Sequence, residues 1–148
     1  MENEGMQANR RLWDEWAKLH VKSEMYAHES FLRGRNSLNA LEMSELGDVQ
    51  GKTLLHLQCH FGHDTLSWAR LGAAVTGMDF SPEAIEIARR TAEELNLPAR
   101  FICCNLYDLP DHLDETFDVV FTSYGVLTWL PDLREWARIA ARYVKPGG

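Results

Sequence analysis

Short apolar runs alternate with amphipathic segments along most of this chain. The runs that look like strands cover residues 53–57, 73–78, 99–103 and 117–123. Apolar side chains repeat at helical spacing in residues 7–20, 37–46, 64–71, from 82 onward and 131–143. Strands that alternate with helices predict an α/β fold with a doubly wound, Rossmann-like parallel sheet. The last run is almost continuously apolar, which indicates a strand buried on both faces.

The segment before the first predicted strand has a helical pattern. Trp13 and Trp16 lie on or beside the apolar face of its first helix. These two side chains, with Tyr26 and Phe31 further on, either cover a cofactor cleft or simply pack on the sheet. The chain therefore divides into two predicted units, an N-terminal helical cap, residues 1–50, and a sheet domain, residues 51–148.

Composition and charge narrow the function classes. The 148 residues are 45% hydrophobic, which fits one globular domain with a real core. A formal net charge of -7 disfavours nucleic acid and anionic membranes as partners. No apolar run approaches the roughly 20 residues of a membrane span. Because Cys59, Cys103 and Cys104 lack CxxC spacing, we expect reduced thiols and a cytoplasmic location.

Several titratable side chains follow the first predicted strand. They suggest a metal site, and two of them, His56 and His60, have the spacing of a helical zinc pair; the other candidates are Cys59, His63 and Asp64. They fall on a strand end and a loop, and no second cluster completes four ligands, so we expect no metal site. Cys59 and His60 are poor candidates for a nucleophile pair, since adjacent side chains on extended backbone point apart.

Two long stretches carry a family resemblance. They are LLHLQCHFGHDTLSWARLGAAVTGMDFS, from residue 54, and FDVVFTSYGVLTWLPDL, from residue 117. Together with the VKPGG that ends the chain, they resemble class I S-adenosylmethionine-dependent methyltransferases over nearly the whole length after Lys52. The resemblance implies the first four of seven strands, in spatial order 3-2-1-4. The fourth strand would be an apolar edge, so we expect a longer protein, or a partner such as a second copy that covers it.

The resemblance assigns the loop after the first strand to the cofactor. The family pattern of an acidic residue, any residue and Gly-x-Gly-x-Gly falls on His56, Gln58, His60 and Gly62, of which only Gly62 is a glycine. Side chains at positions 58 and 60 require a wider or differently aimed loop. His56 stands in place of the acidic residue. It either accepts from the cofactor's amino group or is bonded internally.

The resemblance also assigns residues at three other strand ends. Asp79 would accept both ribose hydroxyls, and Phe80 would lie against the adenine. The alternative for Asp79 is a carboxylate stabilised by the dipole of the following helix. Asn105 would accept from the adenine amino group beside the N–H of Leu106, unless its side chain only makes an Asx turn. Ser123 would lie near the methionine part of the cofactor.

The function implied by the resemblance is methyl transfer from S-adenosylmethionine to a small-molecule acceptor. No general base is identified, and His60, His63 and Tyr124 are candidates by location alone. An NAD-dependent oxidoreductase would require GxGxxG, which residues 58–62 do not provide. Because the glycine loop is altered, a non-catalytic cofactor-binding module or an inactive fragment is a further alternative.

Overall fold

Four parallel strands form the centre of the structure, a computed structural model that describes residues 4–23 and 25–148. The strands are β1 (Thr53–Leu57), β2 (Ala74–Asp79), β3 (Ala99–Cys103) and β4 (Val119–Thr122). The helices are α1 (Glu4–Ser23), α2 (Met25–Leu32), α3 (Ala40–Leu46), α4 (His63–Arg70), α5 (Pro82–Glu94), α6 (Leu109–His112) and α7 (Leu133–Arg142). Single 3₁₀ turns stand at Leu106–Asp108 and Leu127–Trp129.

The sheet has the strand order β3-β2-β1-β4, which confirms the predicted α/β fold and its order 3-2-1-4. All three pairings are parallel. Leu57 at the end of β1 is in register with Met78 in β2 and with Thr122 in β4. The carboxyl ends of these three strands therefore meet at one edge of the sheet, where open α/β sheets bind ligands.

Alternate side chains of β1 enter two different apolar cores. Leu55 and Leu57 are buried in a cluster that includes Ile139 of α7. Leu54 is buried on the opposite face with Trp68 of α4. Full burial of one such side chain stabilises the fold by about 1.5–3 kcal/mol. The two cores hold the central strand between two helical layers and fix the position of its carboxyl end.

Capping side chains set the starts of α5 and α7. Helix α5 begins where the sequence predicts, with Pro82 as its first residue and Ser81 Oγ accepting from the backbone N–H three residues on, at 3.2 Å. Helix α7 begins two residues after the predicted start at Pro131. The reason is that Asp132 caps it, since its Oδ1 accepts from the N–H of Glu135 at 2.9 Å.

Helix α2 and strand β4 also differ from the sequence pattern. Helix α2 was not predicted, because its segment shows little helical periodicity. Tertiary contacts support this short helix, for example the 2.6 Å hydrogen bond from Arg70 Nη2 to the carbonyl of Phe31. Strand β4 spans Val119–Thr122 rather than 117–123, and Phe117 is left in an isolated parallel bridge.

The N-terminal helices reach the carboxyl edge of the sheet. Ser81 Oγ, at the start of α5, donates to Asp14 Oδ1 of α1 at 2.5 Å. The Tyr124 hydroxyl, just after β4, donates to Glu42 Oε2 of α3 at 3.2 Å. These bonds fix α1 and α3 beside the strand ends. In the described part of the chain, no helix combines the length and the apolar character needed to cross a membrane.

Candidate functional site

A cavity of about 200 Å³, the first cavity, lies at the carboxyl ends of β1 and β2. Six of the predicted cofactor residues line it: Gln58, His60, Asp79, Phe80, Leu106 and Ser123. Helix α1 and the segment after β4 supply further walls: Met6, Asn9, Trp13, Tyr124, Gly125, Val126, Trp129 and Leu130. The structure thus brings together residues that follow four different strands.

The loop after β1 has a glycine-like backbone at positions without glycine. The φ angle is 57° at Gln58 and 53° at His60, in the left-handed region that costs other residues roughly 1–2 kcal/mol. Gly62 has a φ of 79°, and a Cβ there would lie 2.9 Å from the Cβ of Ala88. The loop therefore needs glycine at position 62, while positions 58 and 60 take the same conformation with side chains attached.

The carboxylate of Asp79 is 6% exposed and accepts one backbone N–H on each oxygen. Oδ2 accepts from His60 at 2.9 Å, and Oδ1 accepts from Ser81 at 3.0 Å. Burial raises the pKa of Asp79 to about 6, although hydrogen bonds from the backbone N–H groups of Ser81, His60 and Phe80 act in the opposite direction. A carboxylate offers about four acceptor positions. Asp79 therefore keeps acceptor capacity for a ligand in the first cavity.

The side chain of Gln58 connects the loop to two other elements. Its Oε1 accepts from the indole N–H of Trp136 in α7 at 3.2 Å. Its Nε2 donates to the carbonyl of Val126, after β4, at 3.4 Å. A glycine at this position would make neither bond, so the side chain compensates in part for the strained backbone.

Asn105 stands outside the first cavity. Its Oδ1 accepts from the backbone N–H of Tyr107 at 3.1 Å, and the residue is buried. This contact is the Asx turn that the sequence left open as an alternative. The neighbouring Leu106 does line the cavity.

A second cavity, of about 390 Å³, lies on the α4 side of β1. Its walls come from α2, the segment after it, the end of β1 and the start of α4: Ala27, Phe31, Arg35, Ser37, His56, Cys59, His60, Phe61, Gly62, His63, Asp64 and Ser123. His60 and Ser123 line both cavities. Two predicted cofactor residues, His56 and Gly62, lie at the second cavity and not at the first.

His56 is almost completely buried at the end of β1. Its Nδ1 lies 2.7 Å from Thr65 Oγ1 of α4, which is the internal bond considered from the sequence. Burial lowers the pKa of His56 to about 3, so the ring is neutral at physiological pH. Among the residues that the structure describes, no group hydrogen-bonds its Nε2.

Two polar contacts connect the N-terminal helices to the start of α4. His28 Nδ1 and His63 Nε2 are 2.8 Å apart, and burial lowers the pKa of His63 to about 4. Ser37 Oγ donates to Asp64 Oδ1 at 2.6 Å. Within residues 4–23 and 25–148, no three His, Cys, Asp or Glu side chains are grouped as the ligands of a metal ion would be.

Helix α1 covers the first cavity with Trp13, for which the sequence left open a place over a cofactor cleft, and with Met6 and Asn9, which the sequence did not assign to the site. The ring of Trp13 lies 5.4 Å from that of His60 and 5.4 Å from that of Trp129. Met6 and Asn9 line the same cavity. Met6, Asn9 and Trp13 are three and four residues apart, so one face of a helix carries them, and this spacing is the signal that could have identified them.

The chain is similar in sequence to known methyltransferases. Residues 54–148 match the family model described as "Methyltransferase domain". The ubiquinone biosynthesis O-methyltransferase of Proteus mirabilis is 36% identical over 132 residues, covering 86% of this chain and 54% of that protein. The enzyme of the same name from Alkalilimnicola ehrlichii is 35% identical over 103 residues, covering 70% of this chain and 41% of that protein. The chain spans about half the length of these curated relatives.

Solved structures agree with the sequence comparison. A complex of DhpI with SAH superposes with a TM-score of 0.71 and 25% identity, covering 99% of this chain and 68% of that one. A structure reported for the conversion of a disulfide bond into a thioacetal group during echinomycin biosynthesis has a TM-score of 0.61 and 37% identity. It covers 72% of this chain and 45% of that one.

Proposed function

Because the chain belongs to the class I S-adenosylmethionine-dependent methyltransferase family, we propose that it binds S-adenosylmethionine in the first cavity and directs its methyl group to an oxygen of a small-molecule acceptor. The resemblance read from the sequence is confirmed at the level of the family, whose cofactor is S-adenosylmethionine. The choice of oxygen rests on the curated relatives, which are O-methyltransferases by name.

The buried carboxylate of Asp79 is the observation that carries this proposal. Two backbone N–H groups fix its position, and its remaining acceptor positions suit the two hydroxyls of a ribose. Since hydrogen bonds to a charged acceptor in a low-dielectric site are strong, a ribose there would be held firmly. The site residues therefore fit the cofactor that the family uses.

Other residues of the first cavity would hold the rest of the cofactor. We propose that Phe80 lies against the adenine, that the N–H of Leu106 bonds a ring nitrogen, and that Ser123 lies near the methionine part. Gln58 and His60 would border the cofactor through the loop that takes the place of the glycine-rich turn. For His56, Gly62 and Asn105 we propose supporting roles, because each stands outside the first cavity.

The residues of the site contribute mainly position and exclusion of water. When bound, S-adenosylmethionine supplies a methyl group that its positively charged sulfur already makes electrophilic. Trp13 and Trp129 cover the first cavity and limit the access of water to the reacting atoms. An acceptor hydroxyl must lose its proton as the C–O bond forms. We assign no general base, since His60, His63 and Tyr124 remain candidates by location.

The proposal also covers the division of the chain, its location in the cell and its partners. We propose a helical cap over residues 1–50 and a cofactor domain over residues 51–148. A cytoplasmic location accords with three cysteines that form no disulfide in the structure as described. The charge of -7 accords with a small-molecule acceptor rather than nucleic acid or a membrane surface. A second copy that covers the edge strand β4 is also part of the proposal.

Calorimetric titration with S-adenosylhomocysteine tests the proposal, with NADH as the matched control. We expect micromolar affinity for S-adenosylhomocysteine and no binding of NADH. Binding of NADH alone would favour the oxidoreductase alternative. If S-adenosylhomocysteine binds but no acceptor is ever methylated, the chain is a cofactor-binding module and not an enzyme.

A further inference from the structure

One face of helix α1 is docked on the first turn of α5. Asp14, Ala17 and Lys18 lie three and four residues apart, so they share this face. Ala17 has no exposed surface and packs in a cluster with Ala84, while Lys18 Nζ lies 3.3 Å from Glu83 Oε1. This packing fixes the register of α1 along α5 and holds Asp14 beside the residue that caps α5.

That capping residue, Ser81, connects Asp14 to Asp79. The Ser81 hydroxyl donates to Asp14 Oδ1 at 2.5 Å, and the Ser81 backbone N–H donates to Asp79 Oδ1 at 3.0 Å. The same hydroxyl accepts from the N–H of Ala84, which orients it further. Because Ser81 has no exposed surface, bulk water cannot take the place of Asp14 as the acceptor of its proton.

The other oxygen of Asp79 also depends on a residue that α1 contacts. Asp79 Oδ2 accepts from the N–H of His60, and the ring of His60 lies edge-on to that of Trp13, with centroids 5.4 Å apart. Trp13 and Asp14 are consecutive in α1. A single turn of this helix therefore contacts two of the residues whose N–H groups hold the Asp79 carboxylate.

We propose that Asp14 is a positioning residue for the cofactor: by holding Ser81, it fixes the Asp79 carboxylate in the orientation that accepts the ribose hydroxyls. This inference rests on the proposed function, and it adds a residue that does not itself line the first cavity. Because linked equilibria are reciprocal, bound cofactor in turn stabilises the docking of α1.

Asp14 acts on Asp79 through its charge as well. Its negative charge raises the pKa of Asp79, adding to the larger effect of burial. Burial also raises the pKa values of the three thiols near this carboxylate, so they stay neutral below pH 8. The titratable and charged groups around Asp79 and the neighbouring end of β3, apart from Asp14, come from the loop after β1, β3, α1 and α5: Cys59, His60, Cys103, Cys104, Arg10 and Arg89. Since these groups are unchanged by substitution at position 14, a pH dependence that changes there reports on Asp14.

Titration of the protein with S-adenosylhomocysteine at pH 5 and pH 7.5 tests the inference. Asp14→Leu removes the acceptor of the Ser81 hydroxyl, whereas Asp14→Asn retains an acceptor oxygen and removes only the charge. Glu15→Leu and Glu15→Gln make the equivalent changes at the next residue of α1, which is exposed, and are the matched controls. Ser81→Ala, alone and combined with Asp14→Leu, shows whether Asp14 acts through Ser81.

At pH 7.5 Asp14→Leu should raise the Kd about fivefold, as the loss of one buried hydrogen bond implies, and Asp14→Asn should stay within about twofold of the wild type. In the Ser81→Ala background, Asp14→Leu should change the Kd by less than about twofold. Both Glu15 variants should bind as the wild type does at both pH values.

The pH dependence provides a readout that a purely structural role of Asp14 would not move. From pH 7.5 to pH 5 the wild-type Kd should rise roughly tenfold, because Asp79 gains a proton as the pH falls through about 6. In Asp14→Asn the pKa of Asp79 is lower, so more of the carboxylate stays ionised at pH 5. The Kd of this variant should therefore rise about half as much or less.

Three results would overturn the inference while leaving the proposed function intact. One is a wild-type Kd in folded Asp14→Leu at pH 7.5. Another is an equal effect of Asp14→Leu with and without the Ser81 hydroxyl. The third is a ratio of the two Kd values in Asp14→Asn that equals the wild-type ratio, and this result decides alone if Asp14→Leu does not fold. Failure of the wild type to bind S-adenosylhomocysteine would instead refute the proposed function itself.

Discussion

Replacing Asp79 by Asn should weaken cofactor binding strongly while changing the stability of the fold little. The substitution keeps the shape of the side chain and removes its charge. An amide has one acceptor oxygen and one NH2 group, so either the N–H of His60 or that of Ser81 loses its acceptor. The same NH2 group cannot accept a hydrogen bond from a ribose hydroxyl.

The magnitude follows from the environment of the carboxylate. Burial raises the pKa of Asp79 from 3.8 to about 6, and a rise of roughly two pKa units at about 1.4 kcal/mol each costs the folded state about 3 kcal/mol at pH 7.5. Asn removes this cost, but an unpaired buried N–H costs about 1–3 kcal/mol. The free energy of unfolding should thus change by less than about 2 kcal/mol. Loss of hydrogen bonds between the ribose and a charged acceptor, about 1.5–3 kcal/mol, should weaken binding roughly 10- to 150-fold.

The sign of the pH effect provides an independent check. Because the folded-state pKa is raised, the stability contributed by protonated Asp79 is fully present below pH 3.8 and is lost as the pH rises through about 6. Asp79→Asn should therefore gain stability relative to wild type between pH 5 and pH 7.5, by about 1–1.5 kcal/mol.

Urea unfolding at pH 5 and pH 7.5, and titration with S-adenosylhomocysteine at pH 7.5, measure the two quantities. Asp108→Asn, an exposed carboxylate close to the same strand ends, is the matched control and should change neither. Unchanged cofactor affinity in a folded Asp79→Asn variant would refute the role in ribose binding. A loss of more than about 4 kcal/mol of stability would refute the account of the buried charge.

Substitutions at Gly62, His63 and Asn105 test the loops after β1 and β3 and the start of α4. Gly62→Ala should lower the free energy of unfolding, measured in urea, by about 1–3 kcal/mol, because its Cβ would lie 2.9 Å from the Cβ of Ala88. Gly125→Ala is the control, since Gly125 has a φ of 74° and open space around it, and it should cost less. Equal losses in the two variants would show that the close contact with Ala88 is irrelevant. Burial lowers the pKa of His63 to about 4, so its contribution to stability is present above pH 6.5 and is lost as the pH falls through 4. The free energy of unfolding of the wild type minus that of His63→Gln should therefore fall by roughly 3 kcal/mol from pH 7 to pH 4, because His56 and Asp79 titrate alike in both proteins. A difference that does not change with pH would contradict this. Asn105→Ala should lower the free energy of unfolding by about 1 kcal/mol and should reduce cofactor affinity less than Asp79→Asn does. A larger loss of affinity than of stability would assign the Asn105 side chain to the adenine.

Most of the sheet could be predicted because local and tertiary signals agree there. Continuous apolar runs mark buried parallel strands, and Ser81 followed by Pro82 marks the start of α5. Asp79 could be placed beside the first cavity because a residue at the end of a parallel strand lies at the carboxyl edge of the sheet. The place of Asp79 at the end of β2 is enough to predict its location, whatever the direction of its side chain.

Assignments that depend on side-chain direction were harder to predict. His56 and Gln58 both lie within two residues of the end of β1, yet they line different cavities. Alternation along a strand shows that His56 shares a face with Leu54, but it does not show which face borders the cofactor. Asn105 could have formed either its own turn or a ligand contact, because both use the same oxygen.

Helix α2 was missed for a different reason. Its eight residues, Met25–Leu32, are too few to be a stable helix alone, and its support comes from tertiary contacts such as that of His28 with His63. Contacts between residues 35 positions apart leave no periodic pattern in the local sequence. The second cavity, which α2 helps to enclose, was therefore not predicted either.

Backbone NMR of the ¹⁵N-labelled protein titrated with S-adenosylhomocysteine tests most directly whether the cofactor binds in the first cavity. The largest shifts should fall on the amides of His60, Phe80, Ser81 and Leu106, around the first cavity. Largest shifts around the second cavity, or at neither cavity, would contradict it.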